Sequence, residues 1–294
     1  MSAAVLETPE TLETPAEAPI TRADTGLGTT YERWAVNRLL TRLVSELGVR
    51  SVFEGPDDGM TGIAGLNSLI AGRQGARASL LLPSAERAAY AKTVWARHAP
   101  DAQLEIVQEW DGRRLPFEDG AFDLAWNFNV MTRAEDPRAL LAELTRVSRK
   151  YVLIFVPNRF NYAFWLHRLH HWVAKQPWDH GRIDLMHAAP WKPPFAEAGL
   201  KVQQTFHVDC PWWPDIVDAG QLIRDFFPFL KGLARRASPA NRYRWTPEEL
   251  PYFDPEANPE VHDRMNRLAF FENTRATWLK RRFAHHAGVL GVKT

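Results

Sequence analysis

The sequence predicts an α/β fold: a doubly wound, mostly parallel sheet of seven strands with a helical insertion before the last strand. Between about residues 50 and 157, short apolar segments alternate with segments of helical periodicity. The last of these, Tyr151–Val156, is apolar throughout, as in a strand buried on both faces of a parallel sheet. The chain closes with a short β-compatible segment, 287–293, that can return to the sheet.

The individual elements follow from periodicity and from breaking residues. Apolar residues recur at helical spacing over 30–47, where Gly48 ends the predicted helix. Further helices are predicted over 65–71, from Ser84 onward, and from Asp136-Pro137 to Val147. The predicted strands cover 50–54, 78–82, 104–107, 122–126, 151–156, 200–207 and 287–293.

Composition narrows the class of protein. The chain has 294 residues and a formal net charge of +1, which argues against nucleic acid as a partner. Its one cysteine excludes an internal disulfide framework. The longest apolar run is far shorter than a membrane span, and no signal segment opens the chain, so we expect a cytoplasmic protein.

The chain is predicted to have three parts. Residues 1–28 are rich in Glu, Thr and Pro and read as a disordered tail. Residues 29–210 and 284–294 form the α/β domain, and 211–283 form a mostly helical insertion broken by proline-rich loops.

Two features carry chemical information. The first is a glycine-rich turn, 54–62, directly after the first strand, where backbone N–H groups can approach a nucleotide-like ligand. The second is a pair of motifs, D-x-x-x-L-P-F-x-D-x-x-F-D at 111–123 and E-D-P-x-x-L-L-x-E-x-x-R-V at 135–147. Together they resemble the class I S-adenosylmethionine-dependent methyltransferases of the small-molecule type, over about 50–157. The resemblance implies the Rossmann-like methyltransferase fold.

The same resemblance implies a cofactor site for S-adenosylmethionine. Glu54 matches the acidic residue that ends the first strand, and Asp111 the one that meets the adenine amino group. Asn127 matches the tip of the fourth strand, between cofactor and acceptor. The cofactor's amino-acid moiety would lie at three glycines: Gly55, Gly59 and Gly62.

Three departures from the family pattern weaken this assignment. Pro83 stands where an acidic residue usually binds the ribose hydroxyls, unless Ser84 or Glu86 substitutes. The glycine spacing is interrupted by Pro56-Asp57-Asp58, and Thr132-Arg133 replaces a frequent histidine pair. The alternative function is therefore a non-catalytic binding or scaffolding subunit with the same fold. Asp123 is expected to be a structural residue.

The histidines give candidates for a general base and for a metal site. His187 and His207 lie near the later strands, where a base could deprotonate an acceptor. His167, His170 and His171 share a helical face, which suits either metal binding or an interfacial helix with polar groups. The interfacial helix is the preferred interpretation, and no metal site is predicted.

The acceptor is predicted to be a small molecule, aromatic or lipid-like. Large aromatic side chains follow the fifth strand and populate the insertion, where they could form an acceptor pocket, a lid, or the core of an added helical layer. The segment 223–236 is amphipathic with basic ends, which also allows peripheral membrane contact.

Overall fold

The computed structural model describes residues 23–57, 62–108, 110–175, 177–178, 180–213 and 243–294. Its main feature is a seven-stranded sheet in the order β3-β2-β1-β4-β5-β7-β6, in which only β7 is antiparallel to its neighbours. The strands are β1 Ser51–Glu54, β2 Arg77–Leu81, β3 Leu104–Val107, β4 Phe122–Phe128, β5 Ser148–Pro157, β6 Leu200–Val208 and β7 His286–Lys293. The predicted fold class, with the last strand returning to the sheet, is confirmed.

Helices lie between the strands, as the sequence periodicity predicts. Ser84 caps the helix that follows β2, and Asp136 caps the helix before β5 with its carboxylate on two backbone N–H groups. The helices are α1 Leu27–Glu46, α2 Leu69–Arg73, α3 Ala85–His98, α4 Pro137–Val147, α5 Phe164–Val173, α6 Lys192–Glu197, α7 Pro259–Leu268, α8 Phe270–Asn273 and α9 Thr277–Phe283.

The sheet is covered on both faces, because β1, β4 and β5 are apolar on both sides. On one face, α1, α2 and α3 pack around Trp95, Trp126 and Phe155. On the other face, α4 and α6 pack around Phe53, Phe122 and other buried apolar residues. This arrangement leaves the two edges formed by the strand ends as the places where polar side chains can collect.

One of these edges brings together distant parts of the chain. Pro157 at the end of β5 pairs with His286 at the start of β7, and His286 pairs with Val208 at the end of β6. The carboxyl ends of β1 to β6 and the amino end of β7 therefore lie along the same edge. Ligands of open α/β sheets bind at this edge.

The predicted disordered tail is wrong for its last residues. Residues 24–25 pair with 244–245 in a short antiparallel ladder, and α1 already begins at Leu27. The Asp24 carboxylate is buried, and it accepts hydrogen bonds from Arg33 at 3.0 Å and from the Tyr252 hydroxyl at 2.6 Å. This network orders residues that composition alone assigns to the tail.

The described part of the insertion packs onto the α/β domain. Leu250, Tyr252, Phe253 and Met265 belong to the same buried cluster as α1. The region 214–242, which includes the amphipathic segment 223–236, lies outside the described residues. Among the helices the structure describes, none has the length and apolar character needed to cross a membrane.

Candidate functional site

The glycine-rich turn begins as an extension of the sheet. The Gly55 N–H donates to the Trp126 carbonyl at 3.0 Å, and the Asp57 N–H donates to the Leu81 carbonyl at 3.1 Å. A Cβ at Gly55 would lie 2.8 Å from the Leu81 Cβ, so close packing against β2 already requires this glycine. Gly59 lies outside the described residues.

Glu54 faces the protein rather than either of the two cavities described below. Its carboxylate accepts a hydrogen bond from the Ser68 N–H at 2.9 Å, at the start of α2. Burial, together with the negative charge of Asp57, raises the pKa of Glu54 to about 7. Gly62 lies nearby, and a Cβ there would meet the Arg33 guanidinium at 2.8 Å.

A buried ion pair occupies the end of β2. Pro83 is exposed, and Ser84 is engaged as the cap of α3, where it accepts a hydrogen bond from the Arg87 N–H. The Arg87 guanidinium lies 3.7 Å from the Asp57 carboxylate, with side-chain exposures of 1% and 8%. A carboxylate is therefore present at this strand end, but the turn after β1 supplies it.

The other two predicted cofactor residues behave differently from each other. The Asp111 carboxylate accepts hydrogen bonds from the backbone N–H groups of Arg113 and Arg114, at 2.8 and 2.9 Å. These hydrogen bonds, donated by Arg114 and Arg113, lower the pKa of Asp111. Asn127 is fully buried, and its Oδ1 has no hydrogen-bond partner among the described residues.

Asp123 has the structural role that the sequence suggests. Its carboxylate accepts hydrogen bonds from the N–H groups of Arg50 and Ser51 and from the Arg149 guanidinium. It lies at the amino end of β4, away from the carboxyl edge.

A cavity of about 320 Å³ opens at the carboxyl edge beside β4, β5, β6 and β7. Its size is in the range of small-molecule sites. Its polar lining comes from widely separated parts of the chain, and includes Glu32, Asn129, Arg133, His167, His180, Asp209, His285 and His286. The aromatic lining consists of Phe164 and Trp178.

An aspartate–histidine pair stands at this cavity. The Asp209 carboxylate lies 2.8 Å from the His285 Nδ1, and the Asp209 carbonyl accepts from the His285 N–H at 2.8 Å. Asp209, the residue directly after β6, is 1% exposed. Its backbone adopts a left-handed conformation with φ 61°. A carboxylate at Nδ1 holds that nitrogen protonated and leaves the imidazole Nε2 as an acceptor.

A second pair lies beside the first. The Nε2 of His286 is 3.0 Å from the Glu32 carboxylate and 3.7 Å from the Asp209 carboxylate. Its Nδ1 is 3.3 Å from the Asn129 side-chain nitrogen. Burial opposes ionisation of Glu32, but the hydrogen bond and charge of His286 lower its pKa to about 2. The cavity thus holds an ionised carboxylate at neutral pH.

Three histidines form another cluster at the cavity wall, and it differs from the predicted one. His167 and His171, four residues apart on α5, approach each other at 3.0 Å between their Nε2 atoms. The third member is His180, whose Nε2 lies 3.3 Å from the His171 Nε2. His170 is buried and is outside this group, because it lies only one residue from His171 and so points in another direction.

The predicted general bases are not at this cavity. His187 packs edge-on against Phe160, and burial with the nearby Arg159 lowers its pKa. His207 lines a separate cavity of about 450 Å³ next to α1, and burial lowers its pKa to about 4. The sequence shows the pair His285-His286 next to the last strand, but only the tertiary structure shows that Asp209 and Glu32 contact these histidines.

Comparison with protein families identifies the domain. The family model described as a methyltransferase domain matches residues 61–156. Residues 61–156 are a methyltransferase domain. Over these residues the match agrees with the predicted family, and the strand order agrees with the predicted Rossmann-like methyltransferase fold. No curated protein matches the sequence.

Solved structures resemble this chain at low identity. A possible histamine N-methyltransferase from Thermotoga maritima has 13% identity and a TM-score of 0.49, covering 91% of this chain and 92% of that one. The magnesium protoporphyrin IX methyltransferase of Synechocystis, with bound SAH, has 11% identity and a TM-score of 0.49, covering 90% and 84%. A SAM-dependent methyltransferase from Aquifex aeolicus has 16% identity and a TM-score of 0.41, covering 61% and 87%. Similarity at this level does not identify an acceptor.

Among the described residues, the ends of β2 and β4 each carry an oxygen acceptor of the kind that the cofactor's hydroxyl and amino groups require. The buried Asn127 Oδ1 is an acceptor that lacks a partner among the described residues, at the strand tip where the family binds cofactor. Pro83 offers no acceptor, but the Asp57 carboxylate is held at the end of the same strand, β2. The family's two ends of the site, at β2 and at β4, therefore each retain an oxygen acceptor.

Proposed function

We propose that this protein transfers the methyl group of S-adenosylmethionine to a small acceptor bound in the cavity at the carboxyl edge, with His285 as the general base. The observation that carries the proposal is the pairing of Asp209 with His285 Nδ1 at 2.8 Å, in a cavity on the sheet edge where the family works. Asp57 and Asn127 would hold the cofactor. When bound, S-adenosylmethionine supplies a methyl group on a positively charged sulfur, which is reactive without further activation.

The chain's own contribution is deprotonation and placement of the acceptor. Asp209 keeps Nδ1 of His285 protonated, so Nε2 can take the proton of an acceptor hydroxyl, thiol or ammonium group. Loss of the proton frees a lone pair on an ammonium nitrogen, or makes the oxygen or sulfur of a hydroxyl or thiol anionic and more nucleophilic. That atom would form the bond to the methyl carbon as the bond between carbon and sulfur breaks and S-adenosylhomocysteine is released. Placement within the cavity contributes the rest of the rate, because it replaces a bimolecular encounter by an oriented one.

The cavity lining supports a compact acceptor with a flat ring and an ionisable group. Phe164 and Trp178 offer ring faces, and Arg133 offers a cation for an anionic substituent. Glu32 and Asp209 place negative charge in the same cavity, which favours an acceptor that presents hydrogen-bond donors there. An aromatic acceptor fits these features better than a long acyl chain, since about 320 Å³ limits its length.

The first test is calorimetric titration of the purified chain with S-adenosylmethionine and S-adenosylhomocysteine. We expect micromolar binding that weakens about tenfold in Asp57→Asn, because one charged acceptor is removed. Asp101→Asn, an exposed carboxylate between α3 and β3, is the matched control and should bind as the parent chain does.

The second test is a screen of phenols, thiols and amines for S-adenosylhomocysteine formation. Turnover that disappears in His285→Gln supports the proposal. No binding of either cofactor form up to millimolar concentration would contradict methyl transfer, and would favour a binding subunit with a methyltransferase fold. Turnover that survives in His285→Gln would retain the enzyme and reject the base.

A further inference from the structure

We propose that His167, His171 and His180 form a site for a divalent transition-metal ion, with zinc as the preferred occupant. The three imidazoles come from two elements, α5 and the loop that follows it, and their ring nitrogens lie within 4.8 Å of one another. The inference revises the expectation of no metal site, and it does not depend on methyl transfer.

The distances between the nitrogens match a shared ion. His171 Nε2 lies 3.0 Å from His167 Nε2 and 3.3 Å from His180 Nε2. Zinc binds imidazole nitrogen at about 2.0–2.1 Å in tetrahedral sites, which places neighbouring ligands about 3.3 Å apart. These two separations are close to the edges of a zinc tetrahedron, and the nitrogens of the third pair, His167 and His180, lie within 4.8 Å of each other.

Proton counting at His171 favours an ion over a hydrogen bond network. The His171 Nδ1 lies 2.9 Å from the Pro177 carbonyl, and a carbonyl only accepts, so Nδ1 carries the proton. In the tautomer with a proton on Nδ1, His171 presents one lone pair at Nε2, and two other imidazole nitrogens converge on it. A single lone pair accepts only one N–H donor well. A cation placed between the three rings is bound by a nitrogen lone pair from each of them. A ligating histidine with its second nitrogen donating to a backbone carbonyl is the usual arrangement in metal sites.

The loop that carries His180 is fixed by close backbone contacts. Gly181 has φ 93°, and a Cβ there would lie 2.4 Å from the Thr132 carbonyl oxygen. The Arg182 N–H donates to the same carbonyl at 2.8 Å, and the Trp178 indole N–H donates to the Gly181 carbonyl at 2.9 Å. His180 is therefore held beside the loop after β4. Preorganised ligands lower the entropy lost on metal binding.

The cluster also has the surroundings of a site open to a ligand. The Trp178 ring contacts His167, His171 and His180 edge-on, with centroid distances of 5.9, 5.3 and 4.8 Å, and supplies an apolar shell. His167 and His180 line the cavity of about 320 Å³. Three protein ligands leave a fourth position for water or for the donor atom of a cavity ligand, as in catalytic zinc sites.

The test is titration of tag-free protein with zinc chloride by calorimetry, and with cobalt chloride by visible absorption. We expect one ion per chain, micromolar affinity or tighter, and the strong visible bands of four-coordinate cobalt. His171→Gln and His180→Gln should each weaken binding at least about 100-fold. His207→Gln, a partly buried histidine of the other cavity, is the matched control and should bind zinc normally.

Two further measurements make the result decisive. Zinc should raise the melting temperature of the parent chain and of His207→Gln but not of the two ligand variants, which separates lost binding from lost folding. Glu32→Gln tests the neighbouring group of Glu32, Asp209 and His286, whose ligand atoms also lie within 4.8 Å. The proposal is overturned if no ion binds, if the His171 and His180 variants bind as the parent does, or if only Glu32→Gln abolishes binding.

Discussion

The two halves of the carboxyl edge use their polar groups in different ways. On the side of β1, β2 and β3, Glu54 and Asp111 accept hydrogen bonds from nearby backbone N–H groups, and Asp57 pairs with Arg87. On the side of β5, β6 and β7, the carboxylates of Glu32 and Asp209 bind histidines at a cavity. In the first half these carboxylates hold their own loops in place, and Asp57 is also the proposed cofactor contact. The second half presents pairs of carboxylate and histidine to a cavity.

This difference shows where the evidence for a reaction lies. The family motifs belong to the first half and its neighbours, whereas the groups able to move a proton lie in the second half. Four substitutions test this difference between the two halves of the edge.

Asp209→Asn should reduce the rate of methyl transfer at least about 100-fold, because an amide no longer holds the His285 tautomer with Nε2 as acceptor. The rate is measured with the acceptor that the screen identifies. Cofactor affinity should stay unchanged, since Asp209 belongs to the cavity half. A parallel loss of S-adenosylmethionine affinity, or a rate equal to that of the Asp101→Asn control, would break the proposed division.

Gly181→Ala should lower the free energy of unfolding by about 1–3 kcal/mol more than Gly75→Ala does. Both glycines have positive φ, at 93° and 84°, but a Cβ at Gly75 meets nothing within 4 Å. Only Gly181 presses on the backbone of the loop after β4. Urea unfolding of the two variants measures the difference. Equal losses would mean that the loop carrying His180 is not fixed by this contact.

Glu54→Gln should change how stability depends on pH. The pKa of about 7 in the folded chain exceeds the ordinary value of 4.5, so the native state holds the proton more tightly and stability falls as pH rises from about 4.5 to 7. Glutamine does not ionise, so the variant does not lose stability over this pH range. It should be about 1–3 kcal/mol more stable than the parent at pH 8 but not at pH 4.

Urea unfolding at the two pH values measures the effect of Glu54→Gln, with the exposed Glu118→Gln as control. The control should follow the parent at both values. A Glu54→Gln variant that also follows the parent would show that the Glu54 carboxyl ionises as it does in water.

Asp111→Asn should have the smallest effect, a change in S-adenosylmethionine affinity of less than about threefold. The Asp111 side chain is exposed and caps its own turn through Arg113 and Arg114, so it has little to offer the adenine. Calorimetry on the variant decides the question. A loss of S-adenosylmethionine affinity of more than about tenfold would show that Asp111 contacts the adenine, as the sequence motif predicts.

Much of the fold could be predicted because its determinants are local. The apolar run Tyr151–Val156 and the caps Ser84 and Asp136 specify a strand and two helix starts within a few residues. The structural role of Asp123 was likewise predictable from its place at the start of a strand. The exception is Asp24, which the composition of the tail assigns to disorder, although its partners Arg33 and Tyr252 are distant in sequence.

Local sequence patterns specify the strand and helix order, the resemblance to methyltransferases and the position of the glycine-rich turn, because periodicity and short motifs are properties of neighbouring residues. The contacts between distant side chains follow instead from the packing of the folded chain. Asp209 and His286 are brought together by antiparallel pairing of β7 with β6, and α1, which packs against β6, adds Glu32. His180 lies beside His167 and His171 because the Gly181 backbone packs against the loop after β4. His170 points in another direction and does not belong to the cluster. Contacts of this kind depend on register and loop geometry, which a single sequence does not display.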